Sequence, residues 1–288
     1  MNLQNILSEI EKVDPEVYGR MDSRRRAMKE FASISGKIAL ASIPFAFSAM
    51  FNKAYGQVTP SVTAVLNYAL TLEYLEAEFY TNIVGSPGYL TASAAAQGAL
   101  RKIRDDENKH VAFLKTVLGA NAVAKPTFDF TAGKGTGAGP FAGYLDVYAV
   151  QLAMAQTFED TGVRAYKGQA VNVMSDRTVL TAALNIHSVE ARHASHIRQM
   201  RRALDAAIPA DQKPLKPWIT LKNSGITYSP AADAAIQKSY NKEEMTTQAG
   251  VNIIGLGGSF QTDKAASEGF DEPLTMEEVL SIVDPFIV

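Results

Sequence analysis

Two Glu-x-x-His tetrapeptides carry the chemistry that can be read from this chain, Glu107-Asn108-Lys109-His110 and Glu190-Ala191-Arg192-His193. Residues three apart share a helix face, so on a helix each tetrapeptide aims a carboxylate and an imidazole in one direction. Oxygen and nitrogen donors without sulfur suit iron or manganese. The 288 residues include no cysteine and only four His, which excludes disulfide scaffolds, thiolate zinc, iron–sulfur clusters and Cys nucleophiles. Any metal must therefore be held by His and carboxylates. With 28 Lys+Arg against 30 Asp+Glu, the chain also lacks the basic excess that nucleic acid would require, and no nucleic-acid partner is expected.

The residues around each motif indicate where those groups point. The stripe Leu100, Ile103, Glu107, His110, Leu114, Val117 is apolar apart from the Glu and His, and so is Ala183, Ile186, Glu190, His193, Ile197, Met200, Leu204. Ionisable groups on a buried face are costly unless paired or bound to a metal. Two such faces meeting in one core call for a cation.

Four segments have the spacing of helices. The first covers about 60–84, opened by Thr59-Pro60 and stopped by Gly85-Ser86-Pro87-Gly88. The second runs from a cap at Thr91 to Gly119, the third from about Phe141 to Lys167 with Gly168 as its stop, and the fourth from about Asp176 to Ala207. A Gly- and Thr-rich stretch over 120–140 is long enough to cross a bundle. The expected fold is all-α, a four-helix bundle over 58–207 with one long crossover. An irregular C-terminal extension, 208–288, follows with short helices started by Ser229-Pro230 and by the capping box Thr275-Met276-Glu277-Glu278. This extension packs on the bundle or serves assembly. The Gly-rich patch over 255–258 lacks the Lys-Ser/Thr of a phosphate loop and reads as a turn.

The first and third segments supply further carboxylates. Their stripes are Leu66, Leu70, Glu73, Ala77, Tyr80 and Leu152, Ala155, Glu159, Val163, Tyr166, each with a Tyr two turns beyond its Glu. Glu159 follows Glu73 by 86 residues and Glu190 follows Glu107 by 83, the mark of a duplicated helix pair. Glu76 and Glu78 compete with Glu73, but the repeat places position 76 on Gly162 and 73 on Glu159, so Glu73 ranks first and Glu76 second.

One Glu from each of two helices and a Glu-x-x-His from each of the other two make the sequence resemble the ferritin-like superfamily over roughly 60–207. Within it, the chain is similar to exported bacterial ferritin-like proteins related to desiccation-associated proteins. That narrower resemblance is carried by Leu66-Asn67-Tyr68-Ala69-Leu70-Thr71-Leu72-Glu73-Tyr74-Leu75-Glu76-Ala77-Glu78-Phe79-Tyr80, Phe158-Glu159-Asp160-Thr161-Gly162, Glu190-Ala191-Arg192-His193 and Phe270-Asp271-Glu272-Pro273-Leu274. It implies a ferritin-like bundle holding two Fe or two Mn ions on Glu73, Glu107, His110, Glu159, Glu190 and His193. It implies also that Tyr80 and Tyr166 lie beside the metals as hydrogen-bond donors or redox neighbours. Asp106 takes the place of a residue that orients His193, whereas Val189 leaves His110 without such a partner, so the two metal positions are unequal. His187 and His196 read as neighbours of the site or surface residues, with His187 the alternative extra nitrogen donor or proton relay.

The activity this implies is redox chemistry on dioxygen or hydrogen peroxide, as an oxidase, peroxidase or catalase, in a stress-protective role. The competing reading is a structural or assembly protein whose metals only stabilise the bundle, and a homo-oligomer suits either. A hollow iron-storage cage ranks below both. Residues 1–57 resemble a twin-arginine export signal in Ser23-Arg24-Arg25-Arg26-Ala27-Met28-Lys29, with an apolar run over 38–51 that is shorter than the ~20 residues of a spanning helix. No permanent membrane anchor is expected. The location is periplasmic or cell-envelope if the segment is a signal, and cytoplasmic if it is an N-terminal helix instead.

Overall fold

The computed structural model describes residues 60–288 apart from 205, 207, 249 and 259, so the export-signal reading lies outside the described residues. Four long helices dominate them: α1 (Val62–Ile83), α3 (Ala94–Leu118), α4 (Tyr148–Gln169) and α5 (Arg177–Arg202), with a single-turn helix α2 (Pro87–Leu90) between the first two. Helix α1 packs along α3 and α4 along α5, and the two pairs meet across the core. Among the described residues, no helix is long and apolar enough to cross a membrane.

Local chemistry sets the helix ends, and several differ from the sequence expectation. Ser61, rather than Thr59, caps α1, its Oγ accepting from the Ala64 N–H at 3.1 Å. Thr91 does not open α3. It closes α2, and its hydroxyl is spent on the Gly88 carbonyl at 2.7 Å, so Ser93 becomes the cap. Helix α4 begins at Tyr148 instead of near Phe141, because Gly143 adopts φ 78° and breaks the helical path. The residues on either side of that break, Phe141 and Tyr144, turn inward to stack on Phe286 and Phe79. Helix α5 starts at the expected Asp176 cap but ends at Arg202, short of Ala207. On α3 the stripe slips at its end: Leu118 is buried, whereas Val117 is 44% exposed.

The crossover after α3 is folded around one side chain. Asp129 accepts from the Thr131 N–H and hydroxyl and from the Gly135 and Gly137 N–H groups, at 2.6 to 3.0 Å. This pins the glycine-rich loop without regular structure.

The chain after α5 forms two parts. Residues 208–243 and Asp271–Val288 belong to one compact unit with the bundle, and Glu244–Phe270 belong to another. In the first, α6 (Pro230–Gln237) is capped by Ser229 and α8 (Met276–Val283) by the expected Thr275/Glu278 capping box. Gly168 does not stop α4. It lies inside the helix where a Cβ would stand 1.9 Å from the Leu274 carbonyl oxygen, so glycine is what lets the C-terminal segment lie against the helix. In the second unit, a two-residue hairpin, β1 (Thr247–Gln248) and β2 (Val251–Asn252), precedes a turn over 255–258 and the short α7 (Asp263–Ser267).

Candidate metal centre

The four long helices each bring one Glu to the same depth in the core, and Glu73, Glu107, Glu159 and Glu190 all have 0% exposure. Helices α3 and α5 add His110 and His193, each with its Nδ1 turned inward. His110 Nδ1 lies 3.1 Å from Glu73 Oε2 and 3.0 Å from Glu107 Oε2, while His193 Nδ1 lies 2.8 Å from Glu107 Oε1 and 3.2 Å from Glu159 Oε2. Two donor groups result, Glu73, Glu107, His110, Glu190 and Glu107, Glu159, Glu190, His193. Within each, ligand atoms lie within 4.8 Å of one another, and Glu107 and Glu190 are common to both.

The tyrosines reach across the bundle rather than along their own helices. Tyr80 of α1 donates its hydroxyl to Glu159 Oε1 of α4 at 2.5 Å, and Tyr166 of α4 donates to Glu73 Oε1 of α1. Each phenol thereby occupies one carboxylate oxygen and leaves the other, Oε2, facing an imidazole.

Several of the inward atoms are orphaned. Glu107 Oε1, Glu159 Oε2, both oxygens of Glu190 and His193 Nδ1 are buried and make no aligned hydrogen bond, despite separations near 3 Å. Buried polar atoms in native proteins almost always find a partner. Donors that crowd together without bonding one another point at a shared centre instead, which is the arrangement a cation would satisfy.

The electrostatics agree. Burial pushes the Glu73 carboxyl up to about 7 and lifts Glu159, Glu190 and Glu76 as well. Glu107 goes the other way: burial opposes its charge, but the close His110 and His193 imidazoles outweigh burial and hold it at about 2. Burial likewise disfavours charge on His193, yet the carboxylates of Glu159 and Glu107 bring it up to about 11, and Glu107, Glu190 and Glu73 raise His110 in the same sense. The raised values keep both imidazoles protonated beside these carboxylates. A bound cation would replace their protons.

The outer edges of the two imidazoles face a cleft of about 650 Å3 between α3 and α5, lined also by Lys102, Asp106, Lys109, Val189, Arg192 and His196. Asp106 Oδ2 stands 3.6 Å from His193 Nε2, an ion-pair separation rather than a hydrogen bond, and is itself held by Lys102 and Lys109. Val189 lines the same cleft. His187 is turned away to the Val163 carbonyl at 3.0 Å and is not among the donors. Glu76 does not replace Glu73, but it is buried one turn further along α1.

Four Glu and two His converging inside two antiparallel helix pairs define a class of carboxylate-rich bundle centres. A family model describing a ferritin-like domain matches residues 61–203, which span α1 to α5 and every residue of the cluster; the chain belongs to this ferritin-like family. No curated protein and no solved structure matches the chain.

Proposed function

We propose that this protein is a dimetal oxidoreductase, using two iron or two manganese ions and acting on dioxygen or hydrogen peroxide. The observation that carries the reading is that two donor groups share Glu107 and Glu190 and that the imidazole of each reaches an open cleft. A structural metal site is closed by protein, whereas a catalytic one keeps a face accessible. Two redox-active ions held side by side would supply the two electrons that dioxygen or peroxide reduction requires.

The chain's own residues do the positioning. Glu107 and Glu190, common to both donor groups, would help to hold either ion, while Tyr80 and Tyr166 fix Glu159 and Glu73 so that a single oxygen of each faces inward. Lys102, Lys109 and Arg192 outnumber Asp106 at the cleft and give it a positive rim, which favours approach of small polar or anionic reactants. Residues 1–57 would direct export to the cell envelope, where a stress-protective role fits; N-terminal sequencing of the mature protein checks for cleavage near Gln57.

Elemental analysis of protein purified without chelators, followed by peroxide and dioxygen consumption on the same sample, tests the proposal. About two Fe or Mn per chain with turnover supports it. Two metals without turnover would transfer the assignment to a structural role, and no metal after reconstitution would overturn both.

A further inference from the structure

The six-ligand set leaves a further buried glutamate beside the cluster unused. Glu76 is 3% exposed and lies one helical turn beyond Glu73 on α1, where its strongest electrostatic neighbours are Glu190 and then Glu159. The duplicated plan places Gly162 of α4 opposite it, three residues beyond Glu159. Glycine is a poor choice for a helix interior, and α4 is otherwise buried on all sides at this level. Here its missing side chain has a definite use. A Cβ on Gly162 would stand 2.8 Å from Glu190 Oε2 and 3.3 Å from Glu76 Oε1. The two carboxylate oxygens therefore converge on one small gap that only glycine keeps open.

A second observation makes this more than an acidic cluster. Glu190 is fully buried, and neither of its oxygens has a hydrogen-bond partner. Its Oε1 lies 3.4 Å from His110 Nδ1, but Oε2 is directed into the gap above Gly162 that Glu76 also enters. Two carboxylate oxygens facing a common space, one of them orphaned, have the form of a shared cation position.

We propose that Glu76, which stands outside both four-residue donor groups, closes on Glu190 through the slot that Gly162 provides and is a seventh ligand on the α4 side of the metal centre. This rests on the dimetal reading above and adds to it an unequal donor set. Helix α1 contributes two carboxylates, and α4 contributes one carboxylate and a glycine. The cation on this side is then held by an extra oxygen donor, and the two ions differ in affinity and in spectroscopic signature.

The test uses the full chain with Glu76→Gln, Gly162→Ala and, as a control, Glu78→Gln, whose carboxylate points outward to Lys125. Chelator competition with Fe(II) or Mn(II) gives the two affinities, and electron paramagnetic resonance of the loaded protein reports the coordination. Glu76→Gln is expected to weaken one of the two ions by about tenfold or more, as loss of a supporting group at a metal site does. It should alter one ion's signal while Glu78→Gln leaves both unchanged. Gly162→Ala, whose methyl would crowd Glu190 Oε2 and Glu76 Oε1 out of the slot while leaving both carboxylates in the chain, is expected to weaken the same ion and guards against misfolding of the first variant. Wild-type stoichiometry, affinities and spectra in both variants would overturn the inference while leaving the dimetal reading intact. A wild-type chain that binds no metal would instead overturn the dimetal reading itself.

Discussion

Glu159 and Asp160 are neighbours on α4, both are buried carboxylates, and the two faces they define are finished in opposite ways. On the outer face Asp160 accepts from the Arg198 guanidinium and, at 2.7 Å, from the Tyr240 hydroxyl. Gln156 links Tyr240 to the Ser224 carbonyl and takes Arg201 on its own oxygen. One turn on, Arg164 is fully buried, paired with Glu243 at 2.7 Å and donating to the backbone carbonyls of Glu272, Ser239 and Asn241. Protein donors answer most of the charges there, with Glu243 Oε2 left unbonded. On the inner face Glu159 shares its core with four other buried glutamates, Glu73, Glu76, Glu107 and Glu190, and the orphaned oxygens outnumber the available donors. The same helix thus shows what a structural buried charge looks like in this fold, and the inner cluster departs from it in the direction that a cation corrects.

The largest expected effect would break the inner face. Glu107→Ala removes the carboxylate whose two oxygens face both imidazoles, and bound metal should fall from full occupancy to near zero by elemental analysis. The thermal midpoint of the protein purified with metal should fall to that of the metal-free form. Arg198→Ala breaks the outer face and leaves Asp160 buried without its guanidinium. That should cost about 3–5 kcal/mol in denaturant melts with or without metal, since removing one partner of a buried pair strands the other. If the two variants behaved alike, the contrast between the faces would be wrong. A smaller change follows from Tyr166→Phe, which frees Glu73 from its phenol. About a 10- to 100-fold loss of metal affinity by chelator competition is expected, with the fold retained.

The pH dependence is subtler and differs in sign with and without metal. In the metal-free protein Glu73, at about 7 against 4.5, and His193, at about 11 against 6.5, hold their protons more tightly folded than unfolded. Their contribution is fully present below the unfolded values and is lost as pH rises through the folded ones. Glu107, at about 2 against 4.5, contributes above 4.5 and is lost as pH falls through about 2. Metal-free thermal melts should therefore peak in mild acid and decline toward alkaline pH. Metal binding expels the same protons, so metal affinity should rise with pH, and loading at neutral pH should acidify an unbuffered solution.

Much of the inner site is legible in the sequence, because helical period alone puts Glu107 with His110, Glu190 with His193, and Glu73 and Glu159 on apolar stripes. The repeat also separates Glu73 from Glu76. Periodicity does not reveal which partner a side chain meets. Tyr80 and Tyr166 lie two turns from their own glutamates, yet each bonds the glutamate of the other helix, a consequence of how α1 and α4 pack. The outer face is the least legible, since helical period alone does not show that Arg164, Arg198 and Arg201 are buried beneath the C-terminal segments. Gly168 reads as a helix stop because the Leu274 carbonyl that requires it lies more than a hundred residues away in the chain.

The most direct measurement is anomalous X-ray scattering at the iron and manganese edges from crystals grown without chelators. The account predicts two peaks inside the four glutamates, with Glu107 between them and His110 and His193 on either side. Density at neither position after metal soaking, with His110 and His193 still crowded against the carboxylates, would contradict it.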